Sequence, residues 1–428
     1  MNAWARVVGT GCLLGLLALC AACSHERNPA APSAIKLGER MSPGPWGEIS
    51  RGRYLVRAGD CEACHTAPGG QPFAGDRAIP TPFGTIYSSN ITPDPETGIG
   101  RWTDEDFYRA MHEGIDREGE HLYPAFPYPW YTRLSRDDVL AIKAYLDTRA
   151  PVRQDHRRNA LPWPLDQRGL MALWNGMYFD AGSFQPDPKR PAQWNRGAYL
   201  VQGLGHCGAC HSDKNFAGAT DMDDPFTGGH AENAYAPSLA GSVRDGLGSW
   251  TGQDIVQYLG TGRNGRTAAA GPMAEVIEQS TQYLSKPDLE AIAVYLKSLP
   301  APKDTSVASV DKDTLDRGAA LYLDNCQGCH LKQGQGEIGA FPPLRQSSAV
   351  QAASADTLIG VILEGASIPR TTAEPTGLAM QGFADHLSDA QIADLTTYIR
   401  NAWGNRAEAV DPGHVRDLRE TLRESPGG

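Results

Sequence analysis

Two kinds of amphipathic segment alternate along the chain, and each kind occurs three times. The first kind opens with Arg-Gly and continues with small and apolar residues; its copies begin at Arg51, Arg196 and Arg317. The second kind opens with Leu-Ser and reaches a tyrosine near its end; its copies begin at Leu134, Leu284 and Leu387. Behind each serine, apolar residues recur at helical spacing. The pattern therefore predicts a pair of helices in each of three repeats.

The serines that open the second segments, Ser135, Ser285 and Ser388, are predicted helix N-caps. An acidic residue follows each of them in the first turn, at the positive end of the helix dipole: Asp137, Asp288 and Asp389. Each first segment carries a glycine that allows the two helices to cross closely: Gly52, Gly197 and Gly318. The tyrosines are expected to fill the crossings: Tyr145, Tyr295 and Tyr398. We interpret these glycines and tyrosines as packing residues.

Internal repetition sets the number of domains in this chain of 428 residues. We expect three tandem domains, with limits at 45–152, 196–300 and 314–404. The connection 301–313 is short and mostly polar. The tail 405–428 is polar, with a short helix expected from His414 to Arg423.

The other connection, 153–195, is too rich in apolar and aromatic residues for a solvated tether. We expect this aromatic-rich linker to pack between the first and second domains. The alternative is that it presents a docking surface for a partner or a membrane.

The string Cys-x-x-Cys-His follows each first segment, and it brings the first indication of chemistry. Its cysteines are Cys61 and Cys64, Cys207 and Cys210, and Cys326 and Cys329; its histidines are His65, His211 and His330. This is the attachment signature of c-type haem, in which two thiols form thioethers and the histidine is the proximal iron ligand. The alternative, half of a zinc site, needs four converging ligands, whereas each pair here has its own histidine and its own domain.

The sequence thus predicts an all-α fold of three tandem class I-type cytochrome c domains, each with one covalently attached haem. The three haems c would make the chain a multihaem electron-transfer protein. Six of the nine cysteines lie in the motifs, and the other three lie in the N-terminal apolar segment. No cysteine remains for a structural disulfide or a separate thiolate metal site.

Residues 1–23 predict an export signal, because one arginine precedes an apolar stretch and then small residues. Cleavage after Ala22 would leave Cys23 at the new N-terminus, where either a free end or a lipid anchor is expected. Removing residues 1–22 takes away Arg6 and no acid, which lowers the net charge from −11 to about −12. An acidic surface argues against nucleic acid as a partner.

Haem iron in an electron carrier usually has a second protein ligand, and methionine raises the potential relative to histidine. Met273 and Met380 lie at matching positions, in the stretch ahead of the last helix of the second and third repeats. We expect them to be the sixth ligands there, rather than ordinary core methionines. In the first repeat the matching residue is Phe126, which cannot bind iron. The candidates are then Met111, His112, His121 or no ligand.

Two further patterns concern the surroundings of the haems. A backbone carbonyl near a proline often accepts the Nδ1–H of the proximal histidine and orients its ring; the candidates are Pro93, Pro237 and Pro343. The stretches that contain Trp102-Thr103 and Trp250-Thr251 resemble each other. We interpret each as a turn followed by a helix start, with the tryptophan near the haem edge.

The chain resembles the triheme cytochrome c subunits of bacterial membrane-bound dehydrogenases, which include alcohol, gluconate and aldehyde dehydrogenases. The resemblance covers nearly the whole chain after residue 23. It rests on Gly59-Asp60-Cys61, Pro82-Phe83-Gly84-Thr85, Asn90-Ile91-Thr92-Pro93-Asp94, Gly205-His206-Cys207, Gly271-Pro272-Met273 and Trp403-Gly404-Asn405. Phe126 departs from members of the alcohol type, which have methionine there.

The resemblance implies an electron-transfer subunit on the periplasmic side of the cytoplasmic membrane, associated with the membrane surface. Its catalytic partner would be a quinoprotein, flavoprotein or molybdoprotein dehydrogenase subunit. The electron acceptor would be ubiquinone or a downstream cytochrome or oxidase. Two other functions remain open: a free-standing periplasmic carrier, and a haem enzyme that uses an open first haem opposite Phe126.

Overall fold

The computed structural model describes residues 45–231, 233–302 and 307–424. These residues belong to one compact unit, Leu37–Gly428. The predicted export signal, with its candidate lipid site at Cys23, lies outside the described residues. Within the described ranges, every helix is too short or too polar to span a lipid bilayer.

The helices and strands fall into three successive groups, one around each Cys-x-x-Cys-His motif, with one further helix in the linker. The first repeat, 45–152, contains α1 (Pro45–Ala58), α2 (Cys61–Cys64), β1 (Ala78–Thr81), β2 (Gly84–Tyr87), α3 (Asp104–Glu113), α4 (Tyr128–Tyr131) and α5 (Arg136–Leu146). The linker contains α6 (Leu170–Tyr178). The second repeat, 192–300, contains α7 (Ala192–Tyr199), a π-helix (Leu200–Leu204), α8 (Gly208–His211), β3 (Gly229–Ala231), β4 (Ala234–Ala236), α9 (Gly252–Thr261), α10 (Pro272–Gln279), a 3₁₀-helix (Thr281–Tyr283) and α11 (Lys286–Leu296). The third repeat, 307–424, contains α12 (Lys312–Asn325), α13 (Gln327–His330), α14 (Asp356–Glu364), β5 (Gly365–Ser367), β6 (Ala379–Gln381), α15 (Asp389–Asn401) and α16 (Pro412–Glu424).

In each repeat the first long helix crosses the last predicted one at a glycine. A Cβ placed on Gly52 would lie 1.8 Å from the carbonyl oxygen of Ala141, and one on Gly197 would lie 2.0 Å from that of Ala291. At Gly318 the nearest atom would be the carbonyl oxygen of Asp394, at 2.3 Å. Only glycine permits backbones to approach this closely. The tyrosines fill the crossings as predicted, since their Cβ atoms lie under 3 Å from the same positions.

The predicted helix starts are confirmed. The hydroxyl of Ser135 accepts a hydrogen bond from the amide of Asp138, and Ser285 caps the amide of Asp288 in the same way. Ser388 forms a capping box with Gln391. Capping boxes also begin the helices that follow the two similar tryptophan stretches, at Thr103 and Thr251. The local sequence therefore determines where these helices begin.

The expectation of a purely α-helical fold was incomplete, because each repeat also holds one antiparallel two-stranded hairpin. The first pairs Ala78 with Tyr87 and Thr81 with Gly84 across a two-residue turn. Gly84 has a φ of 125°, a conformation that only glycine adopts readily. Strands of three or four residues are too short to show an alternating apolar pattern.

The second repeat contains a π-helix directly after α7. The chain there has one residue more between Gly197 and Cys207 than between the matching Gly52 and Cys61. A π-turn accommodates one extra residue without ending the helix. The π-helix Leu200–Leu204 thus keeps the crossing and the attachment motif in the same relation as in the first repeat.

The buried apolar residues form two main clusters that divide the molecule unequally. One cluster runs through both the first and second repeats and includes Leu55, Leu134, Leu200 and Leu296. The other lies within the third repeat and includes Ile359 and Ile392. The first two repeats therefore share one hydrophobic core, whereas the third repeat has its own.

The aromatic-rich linker packs between the first two repeats through one face of α6. Trp174 forms a small cluster with Tyr128 of the first repeat and Ala219 of the second, and its indole N–H donates to the carbonyl of Ala217 at 2.9 Å. The neighbouring side of the helix remains exposed, with Leu173 64% and Met177 58% accessible.

The expected polar tail is part of the third repeat. The predicted short helix is present as α16, and Val415 on it is fully buried against the third core. Arg419 donates to the carboxylate of Asp389 at 2.7 Å and to the carbonyl of Ala384, so that α16 is tied to the start of α15.

Candidate haem sites

Each Cys-x-x-Cys-His motif lies on a single helical turn that directly follows the first long helix of its repeat. Residues three apart on a helical turn lie on the same side, so the two sulfur atoms of each motif point together. The second cysteine is solvent-exposed in the first and third repeats, at Cys64 and Cys329. The turns thus present paired thiols at an accessible edge, as attachment of a large planar group requires.

Burial raises the pKa of the first thiol in each turn. The values rise to about 12 for Cys61 and Cys207 and to about 11 for Cys326. Zinc binds the thiolate, which such burial disfavours, whereas a thioether is uncharged and suits a buried position. Within the described ranges, no group of three or more His, Cys, Asp and Glu side chains converges to hold a metal ion. The donor set therefore fits haem attachment better than a zinc cluster.

A backbone carbonyl holds the ring of each proximal histidine. The Nδ1 of His65 lies 2.7 Å from the carbonyl oxygen of Ser89, and that of His211 lies 2.7 Å from that of Pro237. The Nδ1 of His330 lies 3.0 Å from the carbonyl oxygen of Pro342. Because a carbonyl only accepts, Nδ1 carries the hydrogen and Nε2 keeps its lone pair. This is the arrangement expected of a histidine that binds iron through Nε2.

Of the three prolines expected to supply these carbonyls, only Pro237 was right. In the first repeat the acceptor is Ser89, because the carbonyl of Pro93 instead faces Gly100, 2.4 Å from the place a Cβ would take. In the third repeat the acceptor is Pro342 and not Pro343, one position along the Pro-Pro pair.

Burial also lowers the pKa of each of the three histidines, although the hydrogen bond to the carbonyl opposes that shift. The rings are therefore held neutral, which is the form that binds a metal.

Met273 and Met380 are both half-buried, but different elements hold them. Met273 is the second residue of α10, directly after Gly271, whose φ is 56°. Met380 lies in the middle of β6, opposite Ala366 of β5. Both precede the last predicted helix of their repeat, as expected for a sixth ligand.

The first repeat has a different arrangement at the matching position. Phe126 is half-buried and packs edge-on against Tyr131, with 5.5 Å between ring centroids. Met111 is buried in the shared core, 6% exposed. His112 is half-buried and stacks on Tyr108, with 4.9 Å between ring centroids. Met111 thus has the packing position that its place on a helix indicated, whereas His112 is less exposed than expected.

His121 is engaged by the linker helix. Its Nδ1 lies 3.3 Å from the amide nitrogen of Asn175, while the hydroxyl of Tyr128 donates to the amide oxygen of the same residue. That pairing makes the asparagine nitrogen the donor, so Nδ1 of His121 accepts and Nε2 carries the hydrogen. A ring held in this way has no lone pair left for iron, which weighs against His121 as a sixth ligand.

Comparisons with known proteins agree with the assignment of these turns to haem attachment. The family model described as Cytochrome c matches residues 315–403. The gluconate 2-dehydrogenase cytochrome c subunit of Pantoea cypripedii is 41% identical over 403 residues, which cover 89% of this chain and 91% of that protein. The cytochrome c subunit of the quinone alcohol dehydrogenase of Gluconobacter oxydans is 40% identical over 393 residues, covering 87% and 82%.

The chain belongs to the family of dehydrogenase cytochrome c subunits. The resemblance predicted from the motifs is confirmed, and with it a cytochrome c fold and covalently bound haem c. One of the subunits of the nicotinate dehydrogenase of Pseudomonas putida is 42% identical over 402 residues; the match covers 91% of this chain but 33% of that protein.

In this cytochrome c subunit the first two attachment turns lie next to each other. Tyr131 of α4 donates its hydroxyl to the carbonyl of Gly59 at 3.2 Å, just before the first turn. Its ring meets that of His206 edge-on, with 5.6 Å between centroids, just before the second turn. Trp130 lies against Gly208 inside the second turn, so closely that a Cβ there would be 2.2 Å from the indole. These contacts were not predicted, because the residues are far apart in the sequence.

Two matching hydrogen-bond clusters join the same repeats. Tyr54 on α1 donates to Asp288 on α11 at 2.5 Å, and Asp288 also accepts two hydrogen bonds from Arg196. In reverse, Tyr199 on α7 donates to Asp138 on α5 at 2.5 Å, and Asp138 pairs with Arg51. We call these the crossed Tyr–Asp contacts. They occupy equivalent positions, so the first two repeats form an approximately two-fold symmetric pair.

Proposed function

We propose that this chain is the electron-transfer subunit of a dehydrogenase complex and carries three covalent haems c. The thioethers would form on the three cysteine pairs, Cys61 and Cys64, Cys207 and Cys210, and Cys326 and Cys329. The proximal ligands would be His65, His211 and His330. One observation carries the proposal: three separate turns hold paired thiols beside a histidine whose Nδ1 is bonded to a backbone carbonyl.

Haem, when bound, supplies the one-electron chemistry. The chain orients each imidazole through a hydrogen bond from Nδ1 to a backbone carbonyl, which keeps Nε2 available. Met273 and Met380 would be the sixth ligands of the second and third haems and would raise their potentials. Substitution M273A or M380A should each lower one potential, as measured by spectroelectrochemical titration. Unchanged potentials would contradict the assignment.

The contacts between the first two attachment turns support electron exchange within that pair. Tyr131 touches the residues that precede both turns, Gly59 and His206, and Trp130 lies on Gly208. The distance between two redox centres governs the rate of transfer, and here the two attachment turns are bridged by the side chains of one short helix, α4.

The partner would be a catalytic dehydrogenase subunit that oxidises an alcohol, aldehyde, sugar acid or related substrate. Relatives named for gluconate, alcohol and nicotinate dehydrogenases support this range. The cofactor of that subunit would be a quinone, flavin or molybdopterin. The chain would be exported to the periplasmic side of the membrane and would pass electrons to ubiquinone or a downstream cytochrome.

Two measurements test the proposal. First, haem content and intact mass should give three haems per chain, and C61S/C64S, C207S/C210S and C326S/C329S should each lose one. A wild-type chain with fewer than three would overturn the count. Second, the tagged chain, extracted in mild detergent, should retain a subunit that carries one of the three cofactors. Repeated recovery of a fully haem-loaded chain alone would favour a free carrier instead.

A second candidate function is suggested by Phe126, which cannot bind iron and packs against Tyr131. An open first haem could act on a small oxidant such as peroxide. Rapid stoichiometric binding of carbon monoxide to one ferrous haem, abolished in C61S/C64S, would favour this enzyme function. Slow binding at all sites would exclude it.

A further inference from the structure

The helix that carries Met273 is held by the other repeat. Glu275, two residues after Met273 on α10, forms a two-pronged ion pair with Arg77 of the first repeat, in which Nη2 of Arg77 lies 2.8 Å from Oε2 of Glu275. The side chains are 24% and 37% exposed. Nη1 of Arg77 also donates to the carbonyl of Ala63 at 2.9 Å, inside the first attachment turn. Arg77 therefore connects the first haem-attachment turn directly to the helix of Met273.

Two more contacts extend this connection along the same stretch. The hydroxyl of Ser280, just after α10, donates to the carbonyl of Ala58 at 3.2 Å. The guanidinium of Arg57 lies over the ring of Tyr283, 4.8 Å from its centroid. The stretch from Met273 to Tyr283 is therefore attached at three points to the residues around the first attachment turn.

Met380 of the third repeat is held differently. It lies on β6, whose backbone pairs with β5 of the same repeat, opposite Ala366. Its side chain packs against the core of the third repeat. The two methionines thus occupy matching positions in the sequence, but the strand of Met380 pairs within its own repeat, whereas the helix of Met273 is tied to the first repeat by side-chain contacts. The loop between β5 and β6 also contacts the second repeat, where the amide of Arg370 donates to Glu278 at 2.6 Å.

We propose that Arg77 is a positioning residue for Met273, so that the first repeat controls the sixth ligand of the second haem. This inference rests on the proposed function, in which Met273 binds that iron. A helical turn is stiff, so fixing Glu275 fixes the position of Met273 two residues away. The bidentate geometry of an arginine–carboxylate pair restrains orientation as well as distance. Without Arg77, α10 loses one of its attachments to the first repeat, and we expect the methionine to leave the iron more often.

The test uses the full-length, haem-loaded chain and two variants that break the pair from opposite sides, R77A and E275Q. The reference variant is M273A. The control is R157A, which removes an ion pair of the neighbouring Asp76 (2.9 Å) that joins the first repeat to the linker. Two readouts report methionine ligation directly: the far-red charge-transfer band of ferric haem c, and the rate at which carbon monoxide binds the ferrous form.

Carbon monoxide must wait for methionine to leave, so its rate measures how firmly the ligand is held. We expect M273A to lose about half of the far-red band, because two methionine-ligated haems are proposed. R77A and E275Q should each raise the rate at one haem about fivefold. The double variant should add little to either single change, because both remove one interaction. R157A should match the wild type.

The outcomes separate the inference from the function on which it rests. If M273A leaves both readouts unchanged, Met273 is not a ligand and that part of the proposed function fails. If M273A alters them but R77A and E275Q do not, the positioning inference is overturned and the function stands. If R77A acts but E275Q does not, the effect passes through Ala63 within the first repeat, which also overturns the inference.

Discussion

The first two repeats and the third repeat are built on the same crossed pair of helices, yet they are joined to the rest of the molecule differently. The first two share one hydrophobic core and exchange the crossed Tyr–Asp contacts. The third has a core of its own and meets the second repeat through polar contacts. Thr357, for example, exchanges hydrogen bonds with the backbone of Tyr235, and Arg263 pairs with Glu374 at 2.6 Å.

The difference can be followed to two sequence positions. Tyr54 and Tyr199 lie three residues after the arginine of the first segment, where the third repeat has Ala320. Asp138 and Asp288 lie three residues after the capping serine, where the third repeat has Gln391. The matching arginine of the third repeat, Arg317, pairs instead with Asp394, at 2.6 Å.

The comparison shows that repeats with the same local structure can differ in how cooperatively they unfold with their neighbours. Apolar burial contributes in proportion to area, so a shared core makes the first two repeats stable only together. Polar contacts between separate cores resemble a domain interface and allow more independent behaviour. We therefore expect the first two repeats to unfold as one unit and the third as another. For an electron carrier, this would fix the geometry of the first two sites while leaving the third freer to move.

The largest effect is expected from filling the helix crossings. In G197V the new side chain would overlap the carbonyl of Ala291, and the two helices must separate, at a cost of about 4 kcal/mol. Because the core is shared, hydrogen exchange followed by mass spectrometry should speed up in both α7 and α1. G318V should have a comparable cost but affect only α12 and α15. Unchanged exchange of α1 in G197V would contradict the single shared unit.

A smaller effect is expected from the aspartates that accept from arginine. Asp288 and Arg196 are almost buried, with side chains 12% and 10% exposed. Removing one partner in D288A leaves the other charge unpaired and should lower the free energy of unfolding by about 3 kcal/mol. In the third repeat Arg317 is 57% exposed, so D394A should cost only about 0.5 kcal/mol. Urea unfolding of the two variants checks the ratio; equal losses would remove the distinction between the repeats.

The sequence alone predicted the local features of each repeat but not the contacts between repeats, and the reason is physical. The helix starts, the glycine crossings and the attachment turns depend on residues close together, and the threefold repetition made each pattern visible three times. The crossed contacts join Tyr54 to Asp288, more than 200 residues apart. No local sequence pattern indicates such a pair. In retrospect the signal was that tyrosine and aspartate occur together in two repeats and are both missing from the third, at Ala320 and Gln391.

The residues around the haem sites were also predicted only where they lie close to the motif in the sequence. The histidine of each site could be assigned from its motif, but the carbonyl that holds its ring depends on how the following loop closes. Two of the three expected prolines were therefore wrong. The short hairpins were missed because strands of three or four residues show no periodic pattern in the sequence. The Arg77–Glu275 pair was missed because it joins two different repeats.

Acid should lower the stability of the unit formed by the first two repeats, because Asp288 loses its charge. Burial raises the pKa of this carboxyl, but the hydrogen bonds and charge of Arg196 outweigh that effect, so the pKa lies below its ordinary value. A depressed pKa contributes stability that is present above the unfolded value of about 3.9 and is lost as the pH falls through the folded value. We expect the stability of α7 and α11 to fall with pH below about 4. D288N should be less stable at neutral pH but have a flatter dependence below it; an unchanged slope would contradict this account.

The smallest expected effect comes from one hydroxyl of the crossed contacts. Tyr54 donates to Asp288 and accepts from the amide of Ser285 at 3.1 Å, and burial together with the carboxylate raises its pKa to about 12. Its hydroxyl is therefore a neutral donor over the physiological range. Y54F removes both hydrogen bonds but leaves Asp288 paired with Arg196, so it should cost about 1 kcal/mol.

The matched control for that change is Y322F in the third repeat, where the hydroxyl donates to the carbonyl of Leu331 in the same repeat at 2.6 Å. Each variant loses the hydrogen bonding of one tyrosine hydroxyl, and each should cost about 1 kcal/mol. The location of the effect distinguishes them. Y54F, a change in the first repeat, should speed hydrogen exchange in α11 of the second, whereas Y322F should change only α12 and α15. If Y54F loosened α1 alone, the hydroxyl would serve its own repeat, and the two-repeat unit would rest on the shared core without the crossed contacts.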